Sequence, residues 1–192
     1  VIAKMLKERP DLRSPIAGQQ IVPQMESLRI SEGAPGSIIQ VAGWSDFTTA
    51  IEPLMTALGF NGCGDYGRVH AAEDIMCYRV APDRLLLHSA DPNLIAKTLE
   101  VISPSAGVVL DLSHARWLLR VEGTNAANFM SRMAPLDFDL VSFPDGAFAQ
   151  TGIHLVSVLI YRRGDESFDI LVPTTWARSI WLLMTESARP FN

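Results

Sequence analysis

Ser37-Ile38-Ile39-Gln40-Val41-Ala42-Gly43 and, about 80 residues later, Trp117-Leu118-Leu119-Arg120-Val121-Glu122-Gly123 are the two stretches on which the fold turns. Each is a short apolar run of strand length that ends at a glycine and leads into a stripe of helical period. In the first, Asp46 can cap a helix that carries Phe47, Ile51, Leu54, Met55 and Leu58 on one face and closes at Gly59. Pro53 inside it predicts a kink or an interruption. In the second, Thr124 or Asn125 caps a helix with Ala126, Phe129, Met130 and Met133, stopped by Pro135.

Working outward, each stretch is followed by a predicted hairpin and a further helix. Strands over 75–80 and 84–89 turn at Ala81-Pro82-Asp83, and Asp91-Pro92 opens a helix with Ile95, Leu99 and Ile102 on its buried side. A strand over 108–112 then leads to the second half. There a strand near 148–151 precedes a hairpin over 155–162 and 168–172 that turns at Gly164-Asp165, and a last helix follows Pro173. A shift of 83 lays Tyr78-Arg79 on Tyr161-Arg162. The order predicts an α+β fold of two pseudo-repeated split β-α-β, ferredoxin-like modules packed together, about 37–112 and 113–192, within a single domain over 37–192. Val156, Val158, Leu159 and Ile160 are apolar without alternation, which demands cover on both faces of their sheet. One half's helices cover one face; the other face needs the second half or another chain.

The 192 residues are 48% hydrophobic and 19% charged, below the roughly 25% charged of an average soluble domain. With 16 Lys+Arg against 21 Asp+Glu, the net charge of -5 provides no basic field, so nucleic acid is excluded as a partner. No apolar run reaches the roughly 18 residues of a membrane helix, so no membrane partner is expected, and the charged start of the chain lacks a signal-like apolar core. Cys63 and Cys77 have no C-x-x-C spacing and read as reduced buried thiols, so a cytoplasmic protein is expected.

Candidate chemistry is sparse. The glycine-rich 59–67 follows a helix and lacks a Gly-Lys-Ser/Thr, so it reads as a flexible turn instead of a phosphate loop. His70, His88, His114 and His154 show no ligand spacing; His88 and His154 fall in predicted strands. Asp111-Leu112-Ser113-His114 holds triad residue types, but adjacent side chains in a tight turn cannot form the nucleophile, base and orienter chain. Asp137 and Asp139 read as solvated loop carboxylates. No catalytic, cofactor-binding or metal-ligating residue is therefore assigned.

Residues 1–36 contain Pro10, Pro15, Pro23, Pro35, Gly33 and Gly36 with no sustained period and read as an extended N-terminal arm. On the last helix Trp176, Ile180, Leu183 and Met184 form the expected core stripe, with Leu182 about 150° away and Trp181 on its shoulder. Pro15, Ile16, Ile21, Val22 and Met25 of the arm, together with Trp181 and Leu182, are the expected subunit interface.

The stretch Asp111-Leu112-Ser113-His114-Ala115-Arg116, continued from Leu118 to Met130, resembles the strand-turn-helix signature of the glycine-cleavage T-protein-like folate-binding fold. Within that group the chain resembles the gamma subunits of heterotetrameric sarcosine oxidase. Arg13-Ser14-Pro15-Ile16-Ala17, Phe148-Ala149-Gln150-Thr151 and Phe168-Asp169-Ile170-Leu171-Val172-Pro173 carry the likeness further, from about residue 13 to 190. The resemblance implies alpha, beta and delta subunits as partners and a complex that converts sarcosine to glycine, with hydrogen peroxide and methylenetetrahydrofolate as further products. It implies no cofactor in this chain: FAD, FMN and NAD would sit in alpha and beta, zinc in delta, and tetrahydrofolate elsewhere in the complex. The role implied is non-catalytic, in assembly and stability. Two other readings are a stand-alone folate-dependent aminomethyltransferase or folate-binding regulator, and a ferredoxin-like small-molecule sensor.

Overall fold

The computed structural model describes residues 13–18, 27–44 and 46–191. In chain order the elements are β1 (Arg29–Gly33), β2 (Ser37–Gly43), α1 (Phe47–Ala50), α2 (Glu52–Ala57), β3 (His70–Ala72), β4 (Ile75–Ala81), β5 (Arg84–Ser89) and α3 (Leu94–Val101). The second half contains β6 (Gly107–Asp111), β7 (Arg116–Glu122), α4 (Ala126–Met133), β8 (Phe148–Ile153), β9 (Val156–Gly164), β10 (Ser167–Pro173) and α5 (Ala177–Ala188). A 3-10 turn over Thr174–Trp176 leads into α5 and another over Arg189–Phe191 follows it.

The strands form two five-stranded antiparallel sheets, ordered β3-β4-β5-β2-β6 and β8-β9-β10-β7-β1. Position for position the two orders correspond, with β1 filling in the second sheet the edge place that β6 fills in the first. Strand alternation then sorts side chains into layers. Ile39, Val41, Leu85 and Leu87 pack with Phe47, Ile51, Leu54 and Leu94 of the first half's helices. Trp117, Leu119, Val121, Ile160, Phe168 and Ile170 pack with Phe129, Met130, Ile180 and Met184 of the second half's helices. The opposite faces meet each other through Ile38, Tyr78, Leu86, Leu118, Phe148, Leu159 and Leu171. The four layers are thus helix, sheet, sheet, helix, and the unalternating β9 is covered on its second face by the other half of the same chain.

Three local expectations are corrected. Residues 29–33 of the expected arm form β1, paired with β7 from Arg29↔Glu122 to Gly33↔Leu118. Leu28 and Ile30 are fully buried there, because pairing with β7 satisfies an otherwise open sheet edge and places both side chains in the helix-covered core. The turn that feeds β1 against the start of α4 is tight: Gly123 has φ +117°, and a Cβ there would lie 2.5 Å from the Ser27 carbonyl oxygen. Asp46 does not cap through its side chain but sits in the left-handed region at φ 60°. Pro53 does interrupt its helix, which breaks at Ile51 into α1 and α2 with the proline in the first turn of the second.

The third correction concerns α5. Its buried stripe is Ala177, Ile180, Trp181, Met184 and Ala188, whereas Trp176 is 52% exposed. The 3-10 turn before the helix sets the phase from Ala177, and a 3.6-residue period counted from there brings Trp181 inward.

Shortening Ile30 to Ala should therefore lower the unfolding free energy by about 2–4 kcal/mol in urea titrations, the cost of a core cavity and not of a surface arm.

Candidate functional site

The seam between the sheets is where polar side chains from both halves are brought together. On β7 and β10, Arg120 and Asp169 face each other in register. Arg120 donates from Nε to Asp169 Oδ1 at 2.6 Å and from Nη2 to Oδ2 at 3.0 Å, a two-pronged pair whose carboxylate is almost wholly buried. His88 of β5, 6% exposed, feels both charges from the opposite sheet. Burial holds its pKa below the ordinary histidine value, against the opposing pull of the Pro35 backbone and Asp169. Its Nδ1 has no hydrogen-bond partner among the described residues. Tyr78 crosses the seam, edge-on to Phe148 at 5.2 Å and to Tyr161 at 6.0 Å, and burial raises its phenol pKa.

This arrangement orders two sheets; it has no open space for a reaction. A recess in the seam, bounded among others by Gln40, Leu86, Arg116, Gln150 and Leu159, measures about 40 Å³. Ligand pockets run from roughly 300 Å³ upward, so a fused-ring ligand does not fit.

The glycine-rich 59–67 clasps the two halves. Phe148 donates its backbone N–H to the Gly67 carbonyl and Val69 donates to that of Gly146, both at 2.8 Å, and Arg68 reaches the Asp145 carbonyl at 3.0 Å. Gly67 takes φ +73°, which turns the chain toward β8. Cys63 and Cys77 are both buried thiols; burial raises both, Cys77 to about 12, so neither is a thiolate at neutral pH. Among the described residues no group of three His, Cys, Asp or Glu could hold a metal ion.

Ser113 is fully buried and donates its hydroxyl to Asp111 Oδ1 at 2.6 Å while accepting the Ile38 N–H at 3.0 Å, which makes it a turn anchor for β2. His114 is exposed and only its carbonyl is engaged, by the Thr174 hydroxyl. Asp137 and Asp139 brace an exposed loop: a hydrogen bond from Ser142 is the main cause that holds Asp137 below its usual pKa. His154 departs from its expected strand position; it occupies the β8–β9 turn at φ 54°.

The expected interface residues separate. Ile16 is 5% exposed and packs in the helix-covered core of the second half, with Ser14 donating to Glu32 at 2.7 Å and Trp117 to the same carboxylate at 3.1 Å. Pro15 is half-buried beside it, and Trp181 is buried on the inner stripe of α5. Ile16 and Trp181 are thus covered by their own chain, and Pro15 in part. Leu182 is 44% exposed. Ile21, Val22 and Met25 lie outside the described residues. The seam pair Arg120–Asp169 was missed although both residues lie in stretches that carry the resemblance, because their opposition is a register fact, visible only once β7 and β10 are paired.

No family model matches the chain. A 93-residue stretch is 31% identical to the sarcosine oxidase subunit gamma of Corynebacterium sp. strain U-96, and it spans 48% of this chain and 45% of that protein, less than half of the relative's length. The chain resembles that subunit. In three dimensions it superposes on a chain of heterotetrameric sarcosine oxidase from Corynebacterium sp. U-96 with a TM-score of 0.83 at 23% identity, covering 93% of this chain and 95% of that one. Glycine cleavage system aminomethyltransferase T from Bartonella henselae is more distant, with a TM-score of 0.60 at 17% identity over 82% of this chain and 45% of the other. These likenesses show that the chain shares its fold with those two chains.

Two outcomes follow from the seam. Asp169→Asn should cost about 3 kcal/mol of stability by leaving the Arg120 charge unpaired in the seam, while a double change to Arg120→Met and Asp169→Leu should recover most of it in urea unfolding. Because His88 binds its proton more weakly folded than unfolded, its contribution is intact above about pH 6.5 and is lost as pH falls. Unfolding free energy measured against pH should fall less steeply below 6.5 in His88→Gln than in the unaltered chain.

Proposed function

We propose that this chain is the gamma subunit of a heterotetrameric sarcosine oxidase, with a role in assembly and stability of the complex. The observation that carries the reading is the near end-to-end superposition on a chain of such an enzyme, joined to 31% identity with a gamma subunit over 93 residues. The seam supports a non-catalytic role. It is packed with aromatic and aliphatic side chains and an internally neutralised ion pair, and the recess at Arg116 within it measures about 40 Å³.

In this reading the partners are the alpha, beta and delta subunits, and FAD, FMN, NAD, tetrahydrofolate and zinc belong to them. The enzyme's sarcosine oxidation to glycine, with hydrogen peroxide and methylenetetrahydrofolate, is supplied there, in the cytoplasm. No described helix is long and apolar enough to cross a membrane, which accords with that. Docking contacts fall to the exposed Leu182 and to Ile21, Val22 and Met25 of the N-terminal segment. The matched strand orders of the two sheets support a duplicated, ferredoxin-like split β-α-β ancestry for the two modules, about 37–112 and 113–192, of one domain.

Affinity-tagged chain expressed in its native source should retain a yellow flavoprotein of larger subunits; a chain recovered alone at every salt concentration tried would reject the reading. Titration of the isolated chain with tetrahydrofolate should give no saturable binding at micromolar concentration. Saturation in that range would favour a folate-binding regulator instead.

A further inference from the structure

Arg116, at the start of β7, has a guanidinium with no acid partner among the described residues. The same face of β7 carries Arg120 and Glu122, and both are paired: Arg120 with Asp169, and Glu122 with Arg29 across the β1 edge. Arg116 is partly buried, no described residue forms an ion pair or hydrogen bond with its side chain, and burial alone accounts for its lowered pKa. In a chain of net charge -5, a cation partly withdrawn from water with no acid partner among the described residues is anomalous, since that withdrawal costs free energy that no described residue offsets.

What surrounds it is polar but without an acid. The recess of about 40 Å³ is lined by Arg116, Gln40, Gln150 and Ser157 together with Leu86, Leu159 and Leu171. Of the two amides, Gln150 is pinned by its Nε2 donating to the Val80 carbonyl at 3.1 Å, so the mouth of the recess is held by both sheets. No Asp or Glu lines it. A planar, forked guanidinium flanked by neutral donors matches a carboxylate, and the volume admits a group of that size and not a ring system. One such charge-assisted contact is worth about 1.5–3 kcal/mol, which holds a free small acid only at millimolar concentration or weaker. A carboxylate carried on a larger surface has no such handicap.

We propose that the recess at Arg116 is a carboxylate-binding site, filled by an aspartate or glutamate side chain of a partner subunit. The source of the acid rests on the assembly reading above; the site itself does not.

Two experiments separate them. In the isolated, 15N-labelled full chain, the Arg116 Nε–H resonance, assigned by its loss in Arg116→Lys, should shift saturably with sodium acetate in the millimolar range and not with sodium chloride at equal ionic strength. A resonance that moves equally in both salts, or in neither, overturns the site. In the tagged-chain capture, Arg116→Gln should weaken retention of the flavoprotein by about 30-fold or more while leaving the isolated chain's Tm unchanged or higher, because the substitution removes an unpaired charge. Acetate binding with unaltered capture would overturn the partner acid and assign the recess to a free carboxylate. If the unaltered chain captures nothing, the assembly reading fails and the acetate titration still decides the site. A fall in Tm in Arg116→Gln together with silence to acetate would make Arg116 a packing residue and overturn the proposal.

Discussion

The face-to-face packing of two sheets is the constraint on which the rest of this protein depends. Each sheet has one face closed by its own helices and one that only the other sheet can close. Tyr78 from the first half, set edge-on to Phe148 and Tyr161 of the second, shows how the contact is made: large rings from opposite sheets interlock where a gap would expose Ile38, Leu118 and Leu171 to water. Neither half can bury its inner face alone, so the two fold as one unit.

That packing dictates what the seam can hold. Polar side chains on the inner faces must either neutralise each other, as Arg120 and Asp169 do, or remain without a partner, as His88 Nδ1 does. A catalytic cleft needs volume and access, and the interlocked rings leave little of either between the sheets. The space between the sheets is here spent on cohesion, and Arg116, which has no acid partner among the described residues, lies at the margin of the recess. A protein built this way offers its surfaces and edges to other molecules sooner than an interior site.

Much of the fold was legible in sequence because it rests on local signals. The helical stripe of Phe129, Met130 and Met133, the stop at Pro135, the break near Pro53 and the long hairpin about Gly164 each follow from period and turn chemistry within a few residues. The unalternating run in β9 even disclosed that a second layer had to exist. Errors arose where local signals were silent. Residues 29–33 look like arm because a single short strand has no internal pattern, and only the open edge of β7 makes it one. Trp181 and Trp176 exchanged roles because the helix phase is set by a 3-10 turn that the sequence does not announce. Ile16 looked available to a partner because its own core partners lie far away along the chain.

The sequence by itself determined most of the element order from β2 onward, the absence of any fingerprint for a dinucleotide or metal, and the resemblance to sarcosine oxidase gamma subunits. These are properties of neighbouring residues and of spacing, which a linear chain displays directly. Tertiary structure alone decided that the inner faces close on each other, that Arg120 finds Asp169 while Arg116 finds no acid among the described residues, and that Ile16 and Trp181 are core. The reason is physical: pairing of charges and burial of side chains depend on strand register and helix phase, and both are fixed by contacts between residues tens of positions apart.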